Sequence, residues 1–205
     1  LQGSDGSLQG KGITNSGTLQ SGGQLTLTAD RLAQQGTLSA KGDVNVVAGT
    51  ALRNTGSLLS EGGLTVRAGT LEQQGILSGA KSLVVNADTL SSGQNARTTS
   101  AGNVQLNATQ SADLNGQTDA GGALTVTTDQ LTTQKDAHLQ SETTLTLQEG
   151  SAEQKGTQAA KGALSATANT LTHSGAAFAA PHHTISAARH RPAPHNLQPV
   201  GAHFP

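Results

Sequence analysis

The sequence predicts an all-β chain wound as a parallel β-helix, a β-solenoid with one coil per 19–21 residues. Three observations predict it. Apolar residues recur at a fixed long interval. Within each interval they alternate with polar residues at period two, and Gly, Asp or Asn separate the apolar groups. The interval is set by Leu25, Val44, Leu64, Leu83, Val104, Leu124, Leu145 and Leu164, whose steps are 19, 20, 19, 21, 20, 21 and 19 residues. One unit cannot bury its own apolar face, whereas stacked units can, each pairing strands with the unit above and below.

Each unit opens with a strand. Its first inward position is the Leu or Val that sets the interval. The second, two residues on, is Leu27, Val46, Val66, Val85, Leu106, Val126, Leu147 and Ala166. Four residues after the first stand Ala29, Ala48, Ala68, Ala87, Ala108, Thr128, Glu149 and Ala168. Polar residues such as Thr26, Asn45, Thr65, Gln105 and Thr125 lie between them. One face is thus apolar and the other wet, and the strand runs for about five residues. A turn is expected next, at Asp30, Gly49, Gly69, Asp88, Thr109, Asp129, Gly150 and Asn169, because most of these residue types favour or tolerate turn backbones.

A further inward position follows at Leu32, Leu52, Leu71, Leu90, Leu131 and Leu171, with Ala152 in the same place. A second turn is expected at Gly36, Gly56, Gly75, Gly156 and Gly175, and a third inward touch at Leu38, Leu58 and Leu77. Gly42, Gly62, Gly102, Gly121 and Gly162 close the unit. A helical reading fails, since Gly and β-branched residues interrupt every window and no 3.6-residue period survives. Seven steps of about 4.8 Å place the first and last aligned coils about 34 Å apart.

The stretch "ITNSGTLQSGGQ" at 13–24 matches the latter half of a unit through Ile13, Gly17 and Leu19, so a partial coil is expected before Leu25. The pattern is less regular at 91–123 and 132–144, where longer loops are expected. It stops near residue 179. All five prolines follow (Pro181, Pro192, Pro194, Pro199 and Pro205), with His182, His183, His190, His195 and His203. Proline removes ladder donors, so 1–179 is expected to be the repeat segment of about 8–9 coils and 180–205 a flexible tail or irregular cap.

Composition narrows the function. The only aromatic residues are Phe178 and Phe204, too few for an ordinary mixed core but compatible with a narrow solenoid interior of Leu, Val and Ala. The formal net charge of −1 provides no electrostatic footprint for nucleic acid. No apolar run reaches membrane-spanning length. Neither nucleic-acid binding nor membrane insertion is expected. Without Cys there is no disulfide framework and no thiolate metal site. Without Met the chain is expected to be a segment of a longer protein.

Units such as "LTLTADRLAQQGTLSAKGD" (25–43) and "LTVRAGTLEQQGILSGAKS" (64–82) resemble the haemagglutinin repeats of filamentous haemagglutinin and of contact-dependent growth inhibition toxins. The likeness covers roughly residues 8–178. It implies a right-handed β-helical fibre in a large exoprotein of Gram-negative bacteria, secreted or displayed at the cell surface. It also implies export by two-partner secretion through an outer-membrane transporter, and display of adhesive or toxic regions toward a host or target-cell receptor or glycan.

The remaining motifs point to no chemistry. "GSDGSLQGKG" (3–12) fails the phosphate-loop pattern, with three residues between Gly6 and Gly10 and Gly12 after Lys11. It is expected to form a solenoid turn or a ragged end. Asp30, Asp88 and Asp129 share a column, but glycines interrupt it, and a catalytic cluster needs acids on adjacent coils. The histidines of 180–205 have no closed-site spacing. Asn107-Ala108-Thr109 is a sequon expected by chance in a Thr-rich chain. Lys and Arg are scattered over different columns, and Gln34-Gln35, Gln73-Gln74 and Gln154 are expected on an outward face as amide ladders. The expectation is therefore a structural stalk with no catalytic residue, metal or cofactor. The alternatives are a direct glycan- or receptor-binding module and a β-helical polysaccharide-degrading enzyme.

Overall fold

The structure, a computed structural model, describes residues 4–180 and 183–192, with the side chains of 183 and 187–192 left aside. It is a parallel β-solenoid of about nine turns in which the described residues contain no helix. Ten long strands alternate with nine short ones. The long strands are β1 (Gly6–Asn15), β3 (Leu25–Gln34), β5 (Val44–Asn54), β7 (Gly63–Gln73), β9 (Ser82–Ser92), β11 (Asn103–Leu114), β13 (Leu124–Thr133), β15 (Leu145–Gln154), β17 (Leu164–His173) and β19 (His183–Pro192). The short strands are β2 (Thr18–Ser21), β4 (Thr37–Ala40), β6 (Ser57–Ser60), β8 (Ile76–Gly79), β10 (Arg97–Ser100), β12 (Gln117–Ala120), β14 (His138–Ser141), β16 (Thr157–Ala160) and β18 (Ala176–Ala179). Long strands stack only on long, short only on short, always in parallel and in coil order.

Every Leu and Val named above as a first, second or later inward position is at most 4% exposed. Each such side chain contributes roughly 1.5–3 kcal/mol by burial. This continuous column of aliphatic side chains is the core, and it needs no aromatic ring.

Several expectations change. The opening strand is ten to twelve residues long, not five. Asp30, Gly49, Gly69, Asp88, Thr109, Asp129, Gly150 and Asn169 lie inside strands rather than in turns. The chain still changes course there. Ala29 pairs with Ala48 and Arg31 with Ala51, while Asp30, Gly49 and Thr50 pair with nothing. The same position is skipped between β7 and β9 and between β15 and β17. The long strand therefore bends at one unpaired residue (two in β5 and β11) and continues its ladder on both sides.

Gly36, Gly56, Gly75, Gly156 and Gly175 do fall between long and short strands. Their reason is close approach rather than a left-handed backbone: none of these five has a φ in the left-handed range, and a Cβ on Gly56 would lie 2.1 Å from the carbonyl oxygen of Gly36 one coil below.

The first coil is not partial. β1 pairs with β3 from Gly6 to Asn15, and Gly6 fills the opening column, where no side chain advertises it. A Cβ there would meet Leu25 Cδ1 at 2.7 Å. The Gly-rich start is accordingly extended strand from Gly6 onward, neither a phosphate loop nor a turn.

At the other end the ladder crosses the expected boundary at 179. β19 pairs with β17 over His183–Pro192, and Ile185 packs against the core. Pro192 is tolerated because it is the last residue of a strand at the edge of the sheet. The expectation of a flexible tail or cap otherwise concerns residues 181–182 and 193–205, which lie outside the described residues.

Candidate functional site

The most distinctive chemistry of the solenoid is inside it. The last position of each long strand from β1 to β17 forms a column: Asn15, Gln34, Asn54, Gln73, Ser92, Leu114, Thr133, Gln154 and His173. Gln34, Gln73 and Gln154 were expected to point outward. They are 0%, 1% and 2% exposed. Gln35 and Gln74 do face solvent, so the period-two alternation holds, one residue out of phase with the expectation.

The buried amides form a coil-to-coil network. Asn15 Nδ2 donates to Gln34 Oε1 at 2.9 Å and to the Thr37 carbonyl at 3.3 Å. Gln34 Nε2 then donates to the carbonyls of Gly36 and Ser57 at 2.9 and 3.1 Å. The next two coils repeat the arrangement: Asn54 Nδ2 donates to Gln73 Oε1 at 2.8 Å, and Gln73 Nε2 to the carbonyls of Gly75 and Arg97. Asn and Gln alternate, so in this half the true repeat is two coils. The column ending the short strands alternates in step, as Ser21, Ala40, Ser60 and Gly79. Ser21 and Ser60 each donate to carbonyls in their own closing turn and in the coil below.

At Ser92 and Thr133 the column changes because the next turn is longer. Gly93–Ala96 and Gln134–Ala137 form four-residue turns closed by N–H to carbonyl hydrogen bonds of 3.0 Å. Ala96 and Ala137 tuck inward at 2% and 0% exposure. The hydroxyls of Ser92 and Thr133 instead accept backbone N–H groups from the coil above. These are the longer loops expected from the irregular stretches.

A second polar cluster lies in β15. The corner column holds Ala29, Ala48, Ala68, Ala87, Ala108, Thr128, Glu149 and Ala168, and Glu149 is only 8% exposed. Gln154 Nε2 donates to both of its carboxyl oxygens, at 2.9 and 3.2 Å. Burial raises the Glu149 carboxyl to about 7, with the Gln154 hydrogen bond acting in the opposite direction. Gln158, in the short strand of the same coil, is 1% exposed, its Nε2 reaching Thr133 Oγ1 at 3.4 Å. Sequence reasoning placed Glu149 in its column but drew nothing from it. The usable signal was one long acid in a column of Ala and Thr.

Among the described residues the surface acids of the column at Asp30 form no cluster. Asp30, Asp88 and Asp129 are exposed, and no two occupy adjacent coils. Asp88 accepts a hydrogen bond from Thr109 Oγ1 at 2.9 Å. Asp119, on the outer face of the short sheet, is raised by burial, offset by Gln117, Arg97 and His138. Asn107 of the sequon donates to Asn86 across coils. The charged pairs Arg53–Glu72, Lys155–Glu153 and Lys161–Glu142 are exposed. Among the described residues no three His, Asp or Glu cluster as metal ligands. His183 and His190 lie on β19, and His182, His195 and His203 fall outside the described residues.

Comparison with known proteins agrees with this geometry. A segment of 182 residues, 85% of this chain, is 36% identical to a tRNA nuclease CdiA of Escherichia coli strain STEC_O31. Over 98 residues, 47% of the chain, it is 40% identical to a Toxin CdiA of Escherichia coli and to a tRNA nuclease CdiA of Escherichia coli O6:K15:H31. The chain spans only 3–4% of the length of these relatives. No solved structure matches it significantly. The haemagglutinin-repeat family matches residues 5–108, 82–152 and 119–188, nearly the whole described solenoid, and the chain belongs to that family.

Proposed function

We propose that this chain is a spacer: a structural repeat segment of a large adhesin or toxin-delivery stalk, secreted or displayed at the surface of a Gram-negative bacterium, that holds an adhesive or toxic region away from the cell. The observation that carries the proposal is the unbroken pair of parallel ladders from β1 to β19, tied internally by side-chain hydrogen bonds between coils. Nine steps of about 4.8 Å make a rod about 43 Å long, and further coils would extend it without a new fold. The parent protein is proposed to leave the cell through an outer-membrane transporter of the two-partner type.

The nuclease named for two relatives belongs to proteins of which the match covers 3–4%, and no residue of this chain is assigned to it. The outward faces support a mechanical role: among the described residues they carry scattered charge and two exposed large apolar residues, Ile76 and Phe178. The test is deletion of residues 34–72 from the parent protein, two coils in register. A spacer keeps export and activity while its reach shortens by about 10 Å. Loss of target-cell attachment on this deletion, together with saturable binding of the isolated chain to target cells, would replace the spacer with a binding module.

A further inference from the structure

We propose that Glu149, Gln154 and His173 make the last coils of the solenoid a proton-controlled segment, closed while Glu149 carries its proton and loosened when it ionises. Four features of the site support this.

Glu149 stands where seven other coils place Ala, one places Thr and one places Gly, so its carboxyl occupies space the fold otherwise gives to a small residue. It has no cationic partner among the described residues. Its two oxygens share a single donor nitrogen, that of Gln154. A neutral carboxylic acid can be accommodated there, whereas a carboxylate with one shared amide donor is poorly compensated in a low-dielectric interior.

Gln154 is itself held from the coil above, where His173 Nδ1 lies 3.3 Å from its Oε1. This contact turns the amide so that its nitrogen faces Glu149. The amide therefore joins two coils through one ionisable group.

Water can reach the site. A depression of about 480 Å³ opens beside Glu149, lined by Asn107, Thr109, Thr128, Asp129 and Gln148. Proton exchange needs no prior unfolding.

The surroundings add no compensating positive charge on the coil below. The titratable groups at the site are Asp129 from β13 and His173 from β17; Glu153 of β15 is exposed on the outer face, its carboxylate paired with Lys155 at 2.9 Å. The same part of the core contains Gln158 Oε1, a buried oxygen with no hydrogen-bond partner, so polar compensation is already incomplete.

The direction of the effect follows from linkage. Burial raises Glu149 from 4.5 to about 7 in the folded chain, so the folded state binds this proton more tightly than the unfolded state does. The stabilisation is complete below about 4.5 and is lost as pH rises through about 7.

The experiment is native-state amide exchange on the whole chain between pH 5.5 and 8.5, corrected for intrinsic exchange. Protection of β15, β16 and β17 is expected to fall by about tenfold or more across that range, while β3, β5 and β7 stay level. Glu149→Gln, and Glu149→Ala as the residue usual in the column, should each abolish the difference. A wild-type profile that is flat in β15–β17, or a variant that keeps the fall, overturns the proposal. If neither variant folds, the Glu149 carboxyl carbon followed by NMR in the wild type decides, since titration near 4.5 rather than near 7 contradicts the account.

Discussion

The inner column of the short sheet reads Leu19, Leu38, Leu58 and Leu77 over the first four coils, then Thr98, Thr118, Leu139, Gln158 and Ala177 over the next five. The column ending the long strands changes at the same level, from an alternating Asn and Gln network to Ser92, Leu114, Thr133, Gln154 and His173. The backbone ladder continues through both halves. The comparison shows that backbone pairing sets the coil, while the side chains set how strongly each coil is held. The first half combines aliphatic packing with neutral amides whose donors are satisfied by the next coil. The second half keeps Leu139 but places Thr98, Thr118, Gln158 and Ala177 where the first has leucine, and adds the ionisable Glu149 and His173.

The largest expected contrast is in the short sheet. Leu58→Ala empties a fully buried site and should cost about 2–5 kcal/mol in urea unfolding. Thr118→Ala, three places along the same column, removes less apolar volume and should cost roughly 1 kcal/mol. Equal losses would remove the distinction between the halves.

Backbone approach comes next. Gly56→Ala drives a methyl toward the Gly36 carbonyl and should cost about 1–3 kcal/mol. Gly49→Ala meets nothing closer than 3.7 Å and should stay within about 0.5 kcal/mol of wild type. A severe Gly49 variant would mean that the bend in the long strand depends on glycine after all.

The amide network should behave as coupled pairs. Gln73→Leu leaves the Asn54 amide with only the Ile76 carbonyl and is expected to cost about 1–3 kcal/mol, whereas Asn54→Leu with Gln73→Leu should recover most of that loss. Additive losses would show that these hydrogen bonds act independently. The smallest effect is expected at the surface. Arg53→Ala breaks an exposed pair with Glu72 and should change stability by less than about 0.5 kcal/mol.

The aliphatic columns were legible in the sequence because Leu and Val at period two have one physical explanation, a face removed from water. Gln34 and Gln73 were not, because an amide reads as solvated unless its partner one coil away is known, and that partner is 19 residues distant. Gly36 and Gly56 were placed correctly for an incomplete reason: chain composition reveals that a side chain is absent, not which carbonyl would have met it. Gly6 hid the first coil, and the prolines obscured β19, where only the terminal Pro192 enters the ladder. Glu149 was visible as an exception in its column, but its burial depends on Gln154 folding back over it.

Parallel, in-register stacking of successive coils underlies the whole rod, and engineered cysteines test it most directly, since the chain has none of its own. Ser39 and Leu59 are register partners on the outer face of the short sheet, at the roughly 4.8 Å separation that a disulfide spans. A chain carrying Ser39→Cys and Leu59→Cys should oxidise to an intramolecular disulfide without losing β structure. A chain carrying Ser39→Cys and Ser78→Cys, two coils apart at about 10 Å, should remain reduced. Closure of the second pair as readily as the first, or failure of the first, would contradict the solenoid.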